Sequence, residues 1–116
     1  MREQDFSIAH IDEELGCVVL NVPCFDFDSF SLIGQWIAEC LSATVIEQQI
    51  DADLHTWLVH IHHEPVLMKA EHYTETLWLE VLSQHSKHHI LEHVCNVFHA
   101  NSHRLSADKM KIGDLR

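Results

Sequence analysis

The runs Leu54-His55-Thr56-Trp57-Leu58-Val59-His60-Ile61-His62, Val66-Leu67-Met68-Lys69-Ala70-Glu71-His72-Tyr73 and Thr76-Leu77-Trp78-Leu79-Glu80-Val81-Leu82 decide the fold. Each sets apolar side chains at alternate positions over the length of a strand, and a strand sends alternate side chains to opposite faces. Short connections around His63-Glu64 and Thr74-Glu75 predict successive hairpins. As two-residue loops they place Ile61 opposite Val66, Val59 opposite Met68 and Trp57 opposite Ala70. On the next strand Met68 then faces Val81, Ala70 faces Leu79 and His72 faces Leu77. One face becomes a continuous apolar patch with Trp57 in the core, and a slip by one residue would break it. Neither loop holds Gly or Asn, the residues such turns favour, so the turn type stays open.

The other face of this register is mixed. Its rows are Leu54–Tyr73–Thr76, Thr56–Glu71–Trp78, Leu58–Lys69–Glu80 and His60–Leu67–Leu82, with Lys69 and Glu80 placed to pair. Antiparallel sheets commonly leave one such face in water.

Upstream, Val45–Ile50 reads as a fourth strand joined through Asp51–Asp53. Residues 6–11 and Cys17 to Val22 form a hairpin around Asp12-Glu13-Glu14 and Gly16, and Pro23 ends it. Between these units Phe30, Ile33, Ile37, Cys40 and Leu41 recur with helical spacing, which predicts a helix from Phe30 to near Ala43. Asp26 and Asp28 are its N-cap candidates, and Gly34 marks a close approach to the sheet. Downstream, Ser83 to Asn101 carries a second helix with the stripe Ile90, Leu91, Val94, Val97 and Phe98. His85, His88, His89, Glu92, His93, Asn96, His99 and His103 fall on its other side, and the helix histidines are expected to be dispensable for folding. The expected fold is α+β, an antiparallel-rich sheet with both helices packed on one face in the order ββαββββα. Residues 1–101 form a single domain and 102–116 a loosely held polar tail.

Composition bounds the function. The chain has 116 residues, 47% of them hydrophobic, enough for a core without metal or disulfide staples. Its net charge of −11 repels a phosphate backbone, so nucleic acid is excluded as a partner. No apolar stretch approaches a membrane span, and Met1-Arg2-Glu3-Gln4-Asp5 lacks the apolar run of a signal peptide; a cytoplasmic protein is expected. Cys17, Cys24, Cys40 and Cys95 show no Cys-x-x-Cys spacing and read as reduced, partly buried thiols.

Eleven of the twelve histidines lie between His55 and His103, and protonating all twelve would take the formal charge from −11 to +1. His89-Ile90-Leu91-Glu92-His93 matches the inverted zinc-protease pattern H-x-x-E-H. Only residues 94–116 follow it, which leaves little room for a cleft and a remote third ligand, and the match lies away from the apolar stripe. The metal reading therefore rests on His85, His89 and His93, which i,i+4 spacing stacks on one helix side and which would take a transition metal adventitiously. No resident cofactor is expected. His55 and His72 become neighbours at the core-side rim if the register extends that far, and such a couple could titrate as a unit. His60, His62 and His63 read as hairpin-end residues. No Gly-rich phosphate loop, G-x-S-x-G elbow or Cys/His nucleophile pattern is present, which argues against an enzyme.

The segments His55-Thr56-Trp57-Leu58, Glu71-His72-Tyr73 and Leu77-Trp78-Leu79-Glu80 resemble a family of short gammaproteobacterial proteins carrying a domain of unknown function. The resemblance spans residues 45 to 100 but leaves out the histidine-rich helix. It implies a small bacterial α+β protein and brings no activity and no catalytic residues.

These readings predict a non-enzymatic interaction or accessory module. Its partner-binding residues are Trp78, Tyr73, Leu58, Leu82, Lys69 and Glu80 on the wet sheet face, covered by a protein partner or by a second copy. The alternatives are a metal-binding protein using the second helix, and an acidic inhibitor or immunity-like protein that occupies a basic site.

Overall fold

The structure, a computed structural model, describes residues 5–99; the expected tail 102–116, His103 and the helix end at Asn101 lie outside the described residues. One antiparallel sheet of six strands runs in the order β1-β2-β6-β5-β4-β3. The strands are β1 (Ser7–Asp12), β2 (Cys17–Asn21), β3 (Thr44–Asp51), β4 (Leu54–Ile61), β5 (Glu64–Glu71) and β6 (Thr76–Val81). Helix α1 (Phe30–Cys40) follows β2; helix α2 (Lys87–Val94) follows β6 and runs into a π-helical turn, Cys95–His99. The fold is α+β in the order ββαββββα, as the alternation and helical spacing predict.

The topology explains why one face is covered. Strands β2 and β3 are consecutive but stand apart, with β6, β5 and β4 between them. The chain must cross the sheet to connect them, and α1 is that crossing. Its Phe30, Ile33, Gly34, Ile37 and Ala38 are buried, and the Phe30 ring meets the Trp57 ring edge-on at 5.2 Å. Helix α2 adds Ile90, Leu91 and Val94, the π-turn adds Phe98, and all join one core with Val18, Leu20, Trp57, Val59, Met68, Leu77 and Leu79. Phe6, ahead of β1, bridges the two helical units, 6.0 Å from Trp36 and 6.3 Å from Phe98 between ring centres.

The faces follow the predicted alternation, but the register is displaced by two residues in both hairpins. Val59 pairs with Val66, Trp57 with Met68 and His55 with Ala70; on the other side Val66 pairs with Val81, Met68 with Leu79 and Ala70 with Leu77. The turns cause the displacement. The β4–β5 loop is His62-His63, one residue earlier than expected, and both residues adopt left-handed φ values of 52° and 69°. That is the backbone of a type I′ turn, whose twist suits a hairpin and which Asn-Gly usually supplies. The β5–β6 loop has four residues, His72 to Glu75, with Glu75 at φ 54°.

Two helix starts also differ from expectation. The N-cap of α1 is Ser29, not Asp26 or Asp28. Asp26 acts one turn earlier: its Oδ1 accepts the backbone N–H groups of Asp28 (3.0 Å) and Ser29 (2.8 Å). The charged carboxylate is favoured by these bonds, chiefly those to Ser29, which hold its pKa below the ordinary 3.8. Helix α2 begins at Lys87 rather than near Ser83. At the β1–β2 turn Gly16 has φ +73°, and its N–H closes on the Asp12 carbonyl at 2.9 Å.

Candidate functional site

Three side-chain groupings carry chemistry or binding potential. The first is the sheet face opposite the helices. The true register gives it the rows Leu54–Glu71–Thr76, Thr56–Lys69–Trp78 and Leu58–Leu67–Glu80, and β2 extends it, with Val19 beside Trp78 and Cys17 beside Glu80. Leu58, Leu67, Val19 and Trp78 are half-buried there. Lys69 and Glu80 do pair, at 3.2 Å, though diagonally rather than directly across. Glu80 also accepts the indole N–H of Trp78 at 2.7 Å, so one carboxylate fixes both a cation and an aromatic ring. Hollows of about 150 Å³ (Glu47, Gln49, Thr56, Leu58, Leu67) and about 350 Å³ (Leu15, Cys17, Glu80, Val81, Leu82) flank the Leu58–Leu67–Glu80 row.

Of the residues expected on this face, Trp78, Leu58, Lys69 and Glu80 are brought together. Tyr73 is not: it stands in the β5–β6 loop, 87% exposed, because the four-residue turn takes it out of the ladder. Leu82 lies just past β6 and is half-exposed, its N–H on the Pro65 carbonyl at 3.3 Å. Val19 and Cys17 were missed. The alternation within β2 signalled an outward face, but nothing local told that β2 would pair with β6.

The second grouping is His55 and His72. The rings touch in a T-shape at 4.6 Å, although His55 pairs with Ala70 and His72 lies past the end of β5, so the two meet diagonally rather than as the cross-strand pair the expected register gives. Phe30 (4.7 Å) and Phe27 (5.1 Å) close on His55, and Phe27 (5.3 Å) and Phe25 (5.7 Å) on His72. His55 is 3% exposed. Its Nε2 and both ring nitrogens of His72 are buried without a hydrogen-bond partner. Burial first, then the neighbouring His72, pushes the His55 pKa below its ordinary 6.5, and a hydrogen bond with the Phe27 backbone opposes this only in part.

The third grouping joins the β4–β5 turn to α2. His62 Nδ1 lies 3.0 Å from His89 Nε2, and the His62 ring centre lies 4.5 Å from that of His93. His93 Nε2 is 3.0 Å from the Leu41 carbonyl oxygen and donates its proton to it. His85 stands apart, with Ser83 at 2.8 Å and Glu64 at 3.8 Å. The expected trio His85, His89 and His93 is thus not a unit: His62 takes the place of His85. Nor is His93 a free solvated residue, since it ties α2 to the end of α1. His93→Ala is expected to cost about 1 kcal/mol, the typical worth of one partly buried hydrogen bond, measured by urea unfolding at neutral pH.

None of the four cysteines is in a disulfide; Cys24 is exposed and the others are half-buried. Burial raises the Cys17 and Cys95 thiols above their ordinary pKa, the opposite of an activated nucleophile. Among the described residues no helix is long and apolar enough to cross a membrane.

The sequence model of one family, described as "Protein of unknown function (DUF3630)", matches residues 6–98. The match takes in all six strands and both helices. No curated protein and no solved structure matches the chain.

Proposed function

The chain belongs to the DUF3630 family, and on that premise we propose that it is a non-enzymatic cytoplasmic interaction module that docks a basic protein through its open sheet face. The observation that carries this reading is the asymmetry of the sheet. Both helices sit on one face, while the other carries Trp78, Leu58, Leu67 and Val19 with no described element over them. A half-buried tryptophan fixed by a carboxylate is a rigid, low-entropy anchor of the kind that dominates binding energy. The partner's chemistry follows from charge. Asp12, Glu47, Glu71 and Glu80 share this face with Lys69, and the whole chain carries −11. That charge opposes the stacking of two copies and attracts a surface with an apolar centre and a basic rim.

A photo-crosslinking amino acid at Leu58, in the full chain expressed in its native cell, tests this. A control at Gln35, exposed on α1, reports background. The expected result is a discrete protein captured from position 58 but not 35, and lost when Trp78→Glu is added. Its affinity for the purified chain should fall more than about tenfold with Trp78→Glu, and fall with rising salt. Equal capture from both positions overturns the reading. Capture of the chain itself replaces the partner with a homodimer.

A further inference from the structure

We infer that His62, His89 and His93 form a binding site for a divalent transition metal ion of the zinc type, clamping the β4–β5 turn to α2. The site is independent of the open sheet face. Its ligands come from two elements separate in sequence, a turn and a helix, which a chance i,i+4 pair on one helix would not require.

Three observations support it. The first is a distance. Zinc binds imidazole nitrogen at about 2.0–2.1 Å, and two such ligands at a tetrahedral angle stand about 3.3 Å apart. His62 Nδ1 and His89 Nε2 are 3.0 Å apart. A proton shared between these rings is replaceable by an ion after a separation of a few tenths of an ångström. The second is the tautomer of His93. A ligating histidine characteristically donates its other ring N–H to a backbone carbonyl, which fixes the ring and frees the remaining nitrogen. His93 does this through Nε2 to Leu41, which leaves Nδ1 as its donor atom, on a ring in contact with His62. The third is access. His62 and His89 are exposed and His93 is half-buried, so an ion and a water ligand can reach the cluster.

As the rings stand, no three donor atoms among the described residues are already gathered about one point. The three rings have to reorient about the ion to complete the set. Three neutral imidazoles suit zinc, copper or nickel better than magnesium or calcium, which take oxygen ligands. Three protein ligands leave a fourth position for water, the open arrangement of a non-structural zinc site.

The test is titration of the full chain with Zn²⁺ alone, with Co²⁺ as the spectroscopic probe. Wild type is expected to bind one equivalent, with the intense visible absorption of tetrahedral cobalt. His62→Asn should weaken zinc binding by at least about a hundredfold, the upper end of what outer-shell changes alone produce. Asn tolerates the left-handed backbone of position 62, so this variant keeps the turn. His85→Gln and His88→Gln should bind as wild type does. If His62→Asn binds as tightly as wild type, or if His85→Gln loses as much, the metal is held only adventitiously along the helix and the inference fails. Imidazole ¹⁵N spectra of the wild type decide the matter without any variant. Zinc should shift the rings of His62, His89 and His93, and shifts confined to other histidines overturn the site.

Discussion

Trp57→Ala is expected to destabilise the protein by about 3–5 kcal/mol, the largest loss of any single substitution proposed here. Trp57, at the middle of β4, is 2% exposed and packs under α1. A cavity there cannot collapse easily, because the crossing helix is anchored at both ends by β2 and β3. The partner of Trp57 in this contact is an absence of side chain. A Cβ placed on Gly34 would stand 2.8 Å from Trp57 Cζ3 and 2.9 Å from Cη2, closer than carbon atoms approach. The glycine costs α1 about 1 kcal/mol of helix propensity relative to alanine, and the indole occupies the space gained. Gly34→Ala should therefore destabilise by about 1–3 kcal/mol despite its better propensity. Trp57→Phe should recover part of that loss in the double variant, since the smaller ring vacates the crowded position. Urea unfolding of both single variants and the double variant measures the coupling. Additive losses would mean the two sites do not touch.

The same contact shows what was legible in the chain. Gly34 inside a helical pattern announced a close approach to the sheet, and Trp57 on the apolar phase of its strand announced the core. Alternation fixed which face each residue of β4, β5 and β6 would occupy. It did not fix which residues would sit opposite one another. A slip by two preserves every face, so only the turns could resolve it, and His62-His63 gives no glycine or asparagine to mark a left-handed pair. Lys69 and Glu80 met anyway because long side chains reach the diagonal neighbour. Tyr73 was misplaced for the same reason, since the longer turn removes it from the ladder.

The histidine cluster was harder to see. His93 lies about 100° around the helix from the centre of the Ile90–Val94–Phe98 stripe, at its border rather than on the opposite side. That position was visible in the sequence. What was not visible is that the β4–β5 turn would end against this border of α2, because helix docking depends on the length and direction of the chain leaving β6. The His55–His72 couple was legible as a neighbourhood but not as a pairing: His55 stands opposite Ala70, and His72 reaches it diagonally from the first position of the β5–β6 loop.

Within that couple, His55 shapes the response to acid. The folded state disfavours protonated His55, so its pKa is lowered from 6.5 while the unfolded chain keeps the ordinary value. Above pH 6.5 both states are neutral and stability is complete. As pH falls below that value the unfolded chain takes up a proton the folded chain refuses, and each such proton removes about 1.4 kcal/mol per pH unit. The loss ends once pH passes the lower folded pKa, where both states are protonated. His62 acts in the same direction: desolvation, then the neighbouring His93, His89 and His63, lower its pKa from the ordinary 6.5. The carboxylates held low by hydrogen bonds, Asp26 and Glu71, begin to cost stability only near and below their ordinary values of 3.8 and 4.5. The interval between these values and 6.5 thus reports on His55 and His62. His55→Leu removes both the titrating group and its unpartnered Nε2 from the phenylalanine enclosure. It should match or exceed wild-type stability near neutral pH, because an unsatisfied buried polar atom costs about 1–3 kcal/mol, and it should lose less than wild type in mild acid, where only His62 still contributes. Denaturant unfolding at stepped pH compares the two chains. Parallel losses in both, across the histidine interval, would show that His55 is not the acid-sensitive residue of this fold.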